Sequence, residues 1–259
     1  MWCYKRSLYL SDLVGNFIYI KKKVNMTSYI NMEVIRVALN RVIDSKSPKD
    51  AKDSKVSHYE HTVGTVSCAL LQHYFPLANW WIITPEQRQI HLKKPDFVVE
   101  KLSNKDLIPH IFVECKKHKG DSFDKIMRQV SVAATMAAEF KSQDDFSVFV
   151  IACRGLEIAF FEYYNYHTVL DESNIYHYEG LIPLTCPLDK QEDYFRKLTP
   201  LTLTSIPTSQ DELTNLGVKS SREMEHSYIW DLSNAKHQNY IHMLFLHMIQ
   251  GSPRQHVIG

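Results

Sequence analysis

The chain carries KPDFVVEKL at residues 94–102 and HIFVECKKHKG at residues 110–120. Asp96 opens one apolar segment, and Glu114, 18 positions later, stands two residues before Lys116 on the next. Side chains of a strand alternate between faces, so Glu114 and Lys116 share one face while Val113 and Cys115 share the other. A hairpin joining the two segments brings Asp96 beside them. Phe97, Val98 and Val99 follow the aspartate, and Ile111, Phe112 and Val113 precede the glutamate. A charge set in such an apolar pattern is costly unless something compensates it. Two carboxylates and an amine thus converge. The carboxylates repel one another, which favours a divalent cation between them and places the lysine near its bound water.

These residues resemble the PD-(D/E)xK nuclease superfamily, the restriction-endonuclease-like fold. The match is Pro95-Asp96, then Glu114-Cys115-Lys116, with a long helix following, and it covers roughly residues 56–163. The resemblance implies an α/β fold with an α-β-β-β-α-β core, in which a mixed central sheet is flanked by helices. It also implies hydrolysis of phosphodiester bonds with Mg²⁺ or Mn²⁺, on DNA in preference to RNA. Asp96 and Glu114 would hold the cation, and the main-chain carbonyl of Cys115 would be a third ligand. Such a cation lowers the pKa of bound water and neutralises charge building on the phosphate. Lys116 would orient or help deprotonate the attacking water.

Other positions match the family by placement. Glu60 lies on the helix before the first strand, where a glutamate often joins the metal site; His61 is a lesser candidate, turned about 100° away on that helix. Gln129 falls on the helix after Lys116, where family branches carry a glutamine that orients the site or touches the substrate backbone. Lys117, Lys119, Lys125 and Arg128 are candidates for phosphate contact. The competing class is a catalytically silent module that keeps the fold and binds nucleic acid or protein.

Composition sets wider bounds. The chain has 259 residues, 44% hydrophobic and 23% charged, enough for one large domain or a domain with extensions. Five cysteines (3, 68, 115, 153 and 186) show neither metal spacing nor disulfide density, which fits a reducing compartment, cytoplasmic or nuclear. No apolar run approaches the ~20 residues of a membrane helix. SLYLSDLVGNFIYI (7–20) is interrupted by Ser11, Asp12 and Asn16, and Lys21, Lys22 and Lys23 follow it, the wrong side for a secretory signal. It reads as a loose extension, an odd targeting leader or a stretch ahead of a start at Met26. Residues 1–55 hold 11 basic against 5 acidic residues, and residues 142–200 hold 4 against 10, so a basic front backs onto an acidic rear. That polarity suits a polyanion partner such as nucleic acid. The oligomeric state is left open, a dimer included.

The expected organisation is a basic extension with one helix (1–55), a core (56–166) and a C-terminal extension packed on it (167–259). Ile35, Ala38, Leu39 and Val42 make a helical stripe, and Val56, Tyr59, Val63, Val66 and Leu70 make a second, stopped by Pro76. NWWIIT and QRQIHL are short extended pieces before the motif strands. Ser122 caps a third helix striped by Ile126, Val130, Ala133 and Ala137. FSVFVIAC reads as a strand buried on both faces, broken by Gly155 before LEIAFFEYY. Strand, helix and strand in that order suggest a crossover connection. Beyond Tyr166, IYHYEGLIPL suggests a strand, residues 198–210 a linker, and Ala235, Ile241, Leu244, Phe245 and Met248 a closing helix.

Other chemistries fit less well. His58 and His61 lack a third ligand at zinc spacing, and Cys115 with His118 is a poor nucleophile pair because Cys115 faces away from Glu114. With only 8 glycines there is no phosphate loop. Trp80-Trp81 and FFEYY read as sheet packing.

Overall fold

The apolar stripes become buried helix faces. In the computed structural model, which describes residues 28–44, 58–85, 95–117, 121–141, 145–171, 174–184, 215, 219–220 and 228–251, α1 spans Glu33–Asp44 and α2 spans His58–Tyr74. Ile35, Ala38, Leu39 and Val42 of α1 are buried, as are Val63, Val66 and Leu70 of α2. Helix α3 spans Phe123–Lys141, and Ser122 Oγ accepts the Lys125 N–H at 3.2 Å, the cap read from the sequence. Helix α4 spans Gln238–Gln250 and buries Ile241, Leu244, Phe245 and Met248. Ala235 falls in the turn before α4 and is exposed, so the helical stripe begins later than its spacing suggested. No described helix is long and apolar enough to cross a membrane. The stretches 1–27, 45–57, 86–94 and 198–210 lie outside the described residues, and with them QRQIHL and the proposed linker.

Six strands of at least five residues build a mixed sheet: β1 (Trp81–Pro85), β2 (Phe97–Ser103), β3 (Asp106–Lys116), β4 (Asp145–Arg154), β5 (Glu157–Asp171) and β6 (Asn174–Pro183). Two short strands, β7 (Lys219–Ser220) and β8 (Tyr228–Asp231), extend it. The order is β1-β2-β3-β4-β5-β8-β7, with β6 alongside β5. Every pairing is antiparallel except β3 with β4. Helix α3 makes that one crossover, the connection a parallel pair needs. β5 runs through residue 166 without a break and pairs with β8 at its start.

The sheet separates two apolar layers. Ile111, Val113 and Cys115 of β3, with Phe149, Ile151 and Cys153 of β4, pack with α1, α2 and α4. Phe112 of β3 and Val148, Val150 and Ala152 of β4 pack with α3. The odd-numbered residues of β3 near its end thus face α2, and the even-numbered ones face α3. Tyr29 crosses the first layer to donate its hydroxyl to the Leu232 carbonyl at 3.0 Å, so the N- and C-terminal thirds share one core. Phe245 stacks on Tyr74 at 4.3 Å and meets Phe160 edge-on at 5.3 Å. Trp81 is buried, whereas Trp80 has φ 66° and is exposed. Only Trp81 therefore packs on the sheet. Trp80 instead offers its carbonyl to the Leu102 N–H at 3.0 Å, continuing the β1–β2 ladder while its ring turns outward.

Register is set at two points. Asn104 (φ 49°) and Lys105 (φ 74°) form a two-residue turn of left-handed residues, the geometry of a tight hairpin, and pair Ser103 with Asp106. Glu100 then faces Pro109 but Val99 faces Ile111, leaving His110 as an extra residue. This β-bulge shifts the ladder by one. Phe97 consequently faces Val113, and the next rung sets Asp96 against Glu114. Without the bulge Asp96 would oppose Val113, on the wrong face.

His110 is held in that bulge by its surroundings. Its Nε2 donates to the Met248 carbonyl at 2.6 Å, and the rings of Trp81 and Phe149 lie 4.8 and 5.2 Å away. Burial, reinforced by nearby Lys101, pushes the imidazole pKa down to about 4.

Two outcomes follow for stability. Phe245→Ala should cost about 3–5 kcal/mol by denaturant unfolding, as for a large ring removed from a packed core. The unfolded chain protonates His110 near pH 6.5 but the folded chain only near pH 4, so stability is lost as pH falls through that window. The loss amounts to about 3 kcal/mol from this one residue. His110→Phe should lose correspondingly less between pH 6.5 and 4 in the same unfolding measurement.

Candidate active site

The bulged register delivers three of the motif residues to one end of the sheet. Asp96, just ahead of β2, accepts the Cys115 N–H through Oδ2 at 2.6 Å. This bond carries on the β2–β3 ladder past Phe97, the last paired residue of β2. The N–H and C=O of one strand residue point to the same neighbouring strand, so the Cys115 carbonyl also faces the Asp96 side. Lys116 points its carbonyl the other way, where it accepts the Gly155 N–H at 2.9 Å.

Glu114 is 7% exposed, and its Oε1 pairs with Lys116 Nζ at 2.6 Å. Removing one partner of such a pair would leave a buried charge uncompensated. Both side chains lie on the α3 face, as alternation requires, with Glu114 opposite Asp96 and Lys116 two residues further along. The Cys115 thiol lies on the opposite face, buried, with Ser67 Oγ of α2 at 3.2 Å. The hydrogen bond with Cys153, its partner in register on β4, and then burial push this thiol well above its ordinary range. Cys115 can serve a cation only through its carbonyl.

The row of charges does not stop at Lys116. Arg154 of β4 is the register partner of Lys116 and lies on the same face as Val150 and Ala152. Its Nε and Nη2 both donate to Glu157 Oε2, at 2.9 and 2.6 Å, and its guanidinium sits 5.1 Å from the centre of the Phe123 ring. Glu157, the next residue in the row on β5, is buried. Sequence reading missed both residues. The text CRGLE carries a signal only once β4 is known to lie beside β3, and strand neighbours are not written in local spacing.

The remaining candidates are placed as follows. Glu60 is in the first turn of α2, its side chain and that of His61 lying outside the described residues. Gly64 and Ser67 follow it at helical spacing on one stripe. A Cβ on Gly64 would lie 4.0 Å from the Phe97 ring, and Ser67 touches Cys115, so Gly64 and Ser67 pack on the face of β2 and β3 opposite Glu114. Gln129 is on α3, over the Glu114 face, and its buried Oε1 has no hydrogen-bond partner among the described residues. Lys117 and Arg128 are exposed. Lys125 pairs with Asp121 at 2.5 Å, and that bond, with Lys116 and Lys117 nearby, holds the Asp121 carboxyl below the usual range. Lys119 and His118 lie outside the described residues.

Chemically, two carboxylates and a carbonyl at one strand end are the hard oxygen donors that Mg²⁺ and Mn²⁺ favour. The buried acceptor of Gln129 is one further group of the right kind on the covering helix. Among the described residues no cluster of three or more His, Cys, Asp and Glu side chains surrounds a common point. The described donors that a cation could use are the Asp96 and Glu114 carboxylates and main-chain oxygen. No protein-family model, curated protein or solved structure matches the chain.

Proposed function

We propose that this protein is a metal-dependent nuclease of the PD-(D/E)xK kind, with DNA favoured over RNA as substrate. The observation that carries the reading is the alignment of Asp96 with Glu114 and Lys116 by a one-residue bulge, locked by the 2.6 Å bond from the Cys115 N–H to Asp96. The element order supports it as well. Helix α2, the antiparallel run β1–β2–β3, helix α3 and the parallel strand β4 follow one another as a restriction-endonuclease-like α-β-β-β-α-β core would.

In this reading Asp96, Glu114 and the Cys115 carbonyl would hold the cation, with Glu60 of α2 as a further ligand. A bound Mg²⁺ or Mn²⁺ would supply activation of water and charge neutralisation at the phosphate. Lys116 now balances Glu114 at 2.6 Å. With a cation beside Glu114, the Lys116 ammonium would be the group to orient the attacking water and to stabilise charge on a phosphate oxygen. Gln129 orients that water or the substrate backbone. Lys117, Lys119, Lys125 and Arg128 would serve as phosphate contacts, Lys125 exchanging its Asp121 partner for the substrate.

One observation favours a second reading, a silent module that binds nucleic acid or protein without cutting: the described side chains include no group of three ligands. Turnover separates the two. Purified protein incubated with double-stranded DNA, single-stranded DNA and RNA in Mg²⁺, Mn²⁺ or EDTA should cut at least one substrate only with metal. Asp96→Ala and Lys116→Ala should each lower the rate at least about 100-fold, the scale of a lost acid–base or electrostatic group. Binding without cleavage by wild type favours the silent module. Equal cleavage by wild type and both variants removes the proposed site.

A further inference from the structure

We propose that Arg154 is a second phosphate-binding cation of this site, gripping the nucleic-acid backbone beside the phosphate held at Lys116, with Glu157 as its positioning residue. The inference rests on the nuclease reading and extends its site by one strand.

Arg154 and Lys116 are partners in register on parallel strands, bound together by the Gly155 N–H to the Lys116 carbonyl at 2.9 Å. Their Cα atoms are therefore about one strand spacing apart, ~4.8 Å, with both side chains on the α3 face. Both side chains are long and leave neighbouring strands on one face, so a backbone crossing β3 and β4 meets both cations in turn.

The guanidinium is held for such a contact. One carboxylate oxygen of Glu157 takes both Nε and Nη2, the Phe123 ring supports the plane, and Gly155 (φ 63°) makes the tight turn that carries Glu157 back beside Arg154. Glu157 is buried, whereas the Arg154 side chain is 24% exposed, so the pair presents its cationic end outward. Among the described residues Nη1 donates to nothing, leaving one edge of the fork for a phosphate oxygen. A planar guanidinium suits that contact better than an ammonium.

The test is affinity for a labelled DNA duplex, measured by fluorescence anisotropy across a salt series with Ca²⁺ replacing Mg²⁺. The double variant Arg154→Gln/Glu157→Gln removes the cation without stranding a buried carboxylate. Its affinity should fall about 10-fold and its slope of log affinity against log salt should be shallower by about 0.9, the signature of one lost phosphate contact. A merely structural pair would leave that slope unchanged. Arg154→Lys keeps the charge and serves if the double variant fails to fold; its slope should match wild type while its affinity falls several-fold. Unchanged slope in the double variant, or unchanged affinity in Arg154→Lys, overturns the proposal while wild-type binding and cleavage stand. Failure of wild type to bind any nucleic acid overturns it together with the nuclease reading.

Discussion

His110 is the extra residue of the β2–β3 ladder, and the carbonyl of Met248 on α4 holds its ring on the α2 and α4 side of the sheet. The shift it introduces is one residue, but strand side chains have period two, so one residue changes which face meets which. From the hairpin turn to Glu100 the ladder runs in one register; from Val99 onward it runs in another, and Asp96 meets Glu114 instead of Val113. The candidate site therefore depends on a packing event about four rungs away. Burial disfavours the charged imidazole there, so acid acts on the same residue that sets the register of Asp96.

Beyond the bulge, charge is arranged across the sheet as a row: Asp96, Glu114, Lys116, Arg154 and Glu157 run over the ends of successive strands on the α3 face. Each buried acid in that row is adjacent to a base, Glu114 to Lys116 and Glu157 to Arg154. These pairs compensate the buried acids within the fold. Behind the row, Cys115, Cys153 and Ser67 are buried in the apolar layer under α2.

Much of this was legible in the sequence because it is local. The stripe of Ile35, Ala38, Leu39 and Val42, the cap at Ser122, the break at Gly155 and the alternation of Glu114, Cys115 and Lys116 all follow from spacing within one element. Non-local facts were not legible. The bulge requires knowing which residues face each other, although Pro109, which cannot donate to a ladder, was a cue. Arg154 and Glu157 gain meaning only from the β3–β4 pairing, and β8 (Tyr228–Asp231) is too short to show alternation. Trp80 looked like a packing residue beside Trp81; a left-handed backbone turned it outward. Past Tyr166, where the sequence pattern fades, β5 loses its β4 neighbour but continues to Asp171 against β6, with which it is already paired from Phe161.

The most direct measurement is anomalous diffraction from crystals soaked with Mn²⁺. A peak is expected within about 2.0–2.5 Å of carboxylate oxygens of Asp96 and Glu114 and of the Cys115 carbonyl, with Lys116 released from Glu114. A map with no Mn²⁺ at these oxygens, and with Glu114 still closed on Lys116, would contradict a metal site built by the His110 register.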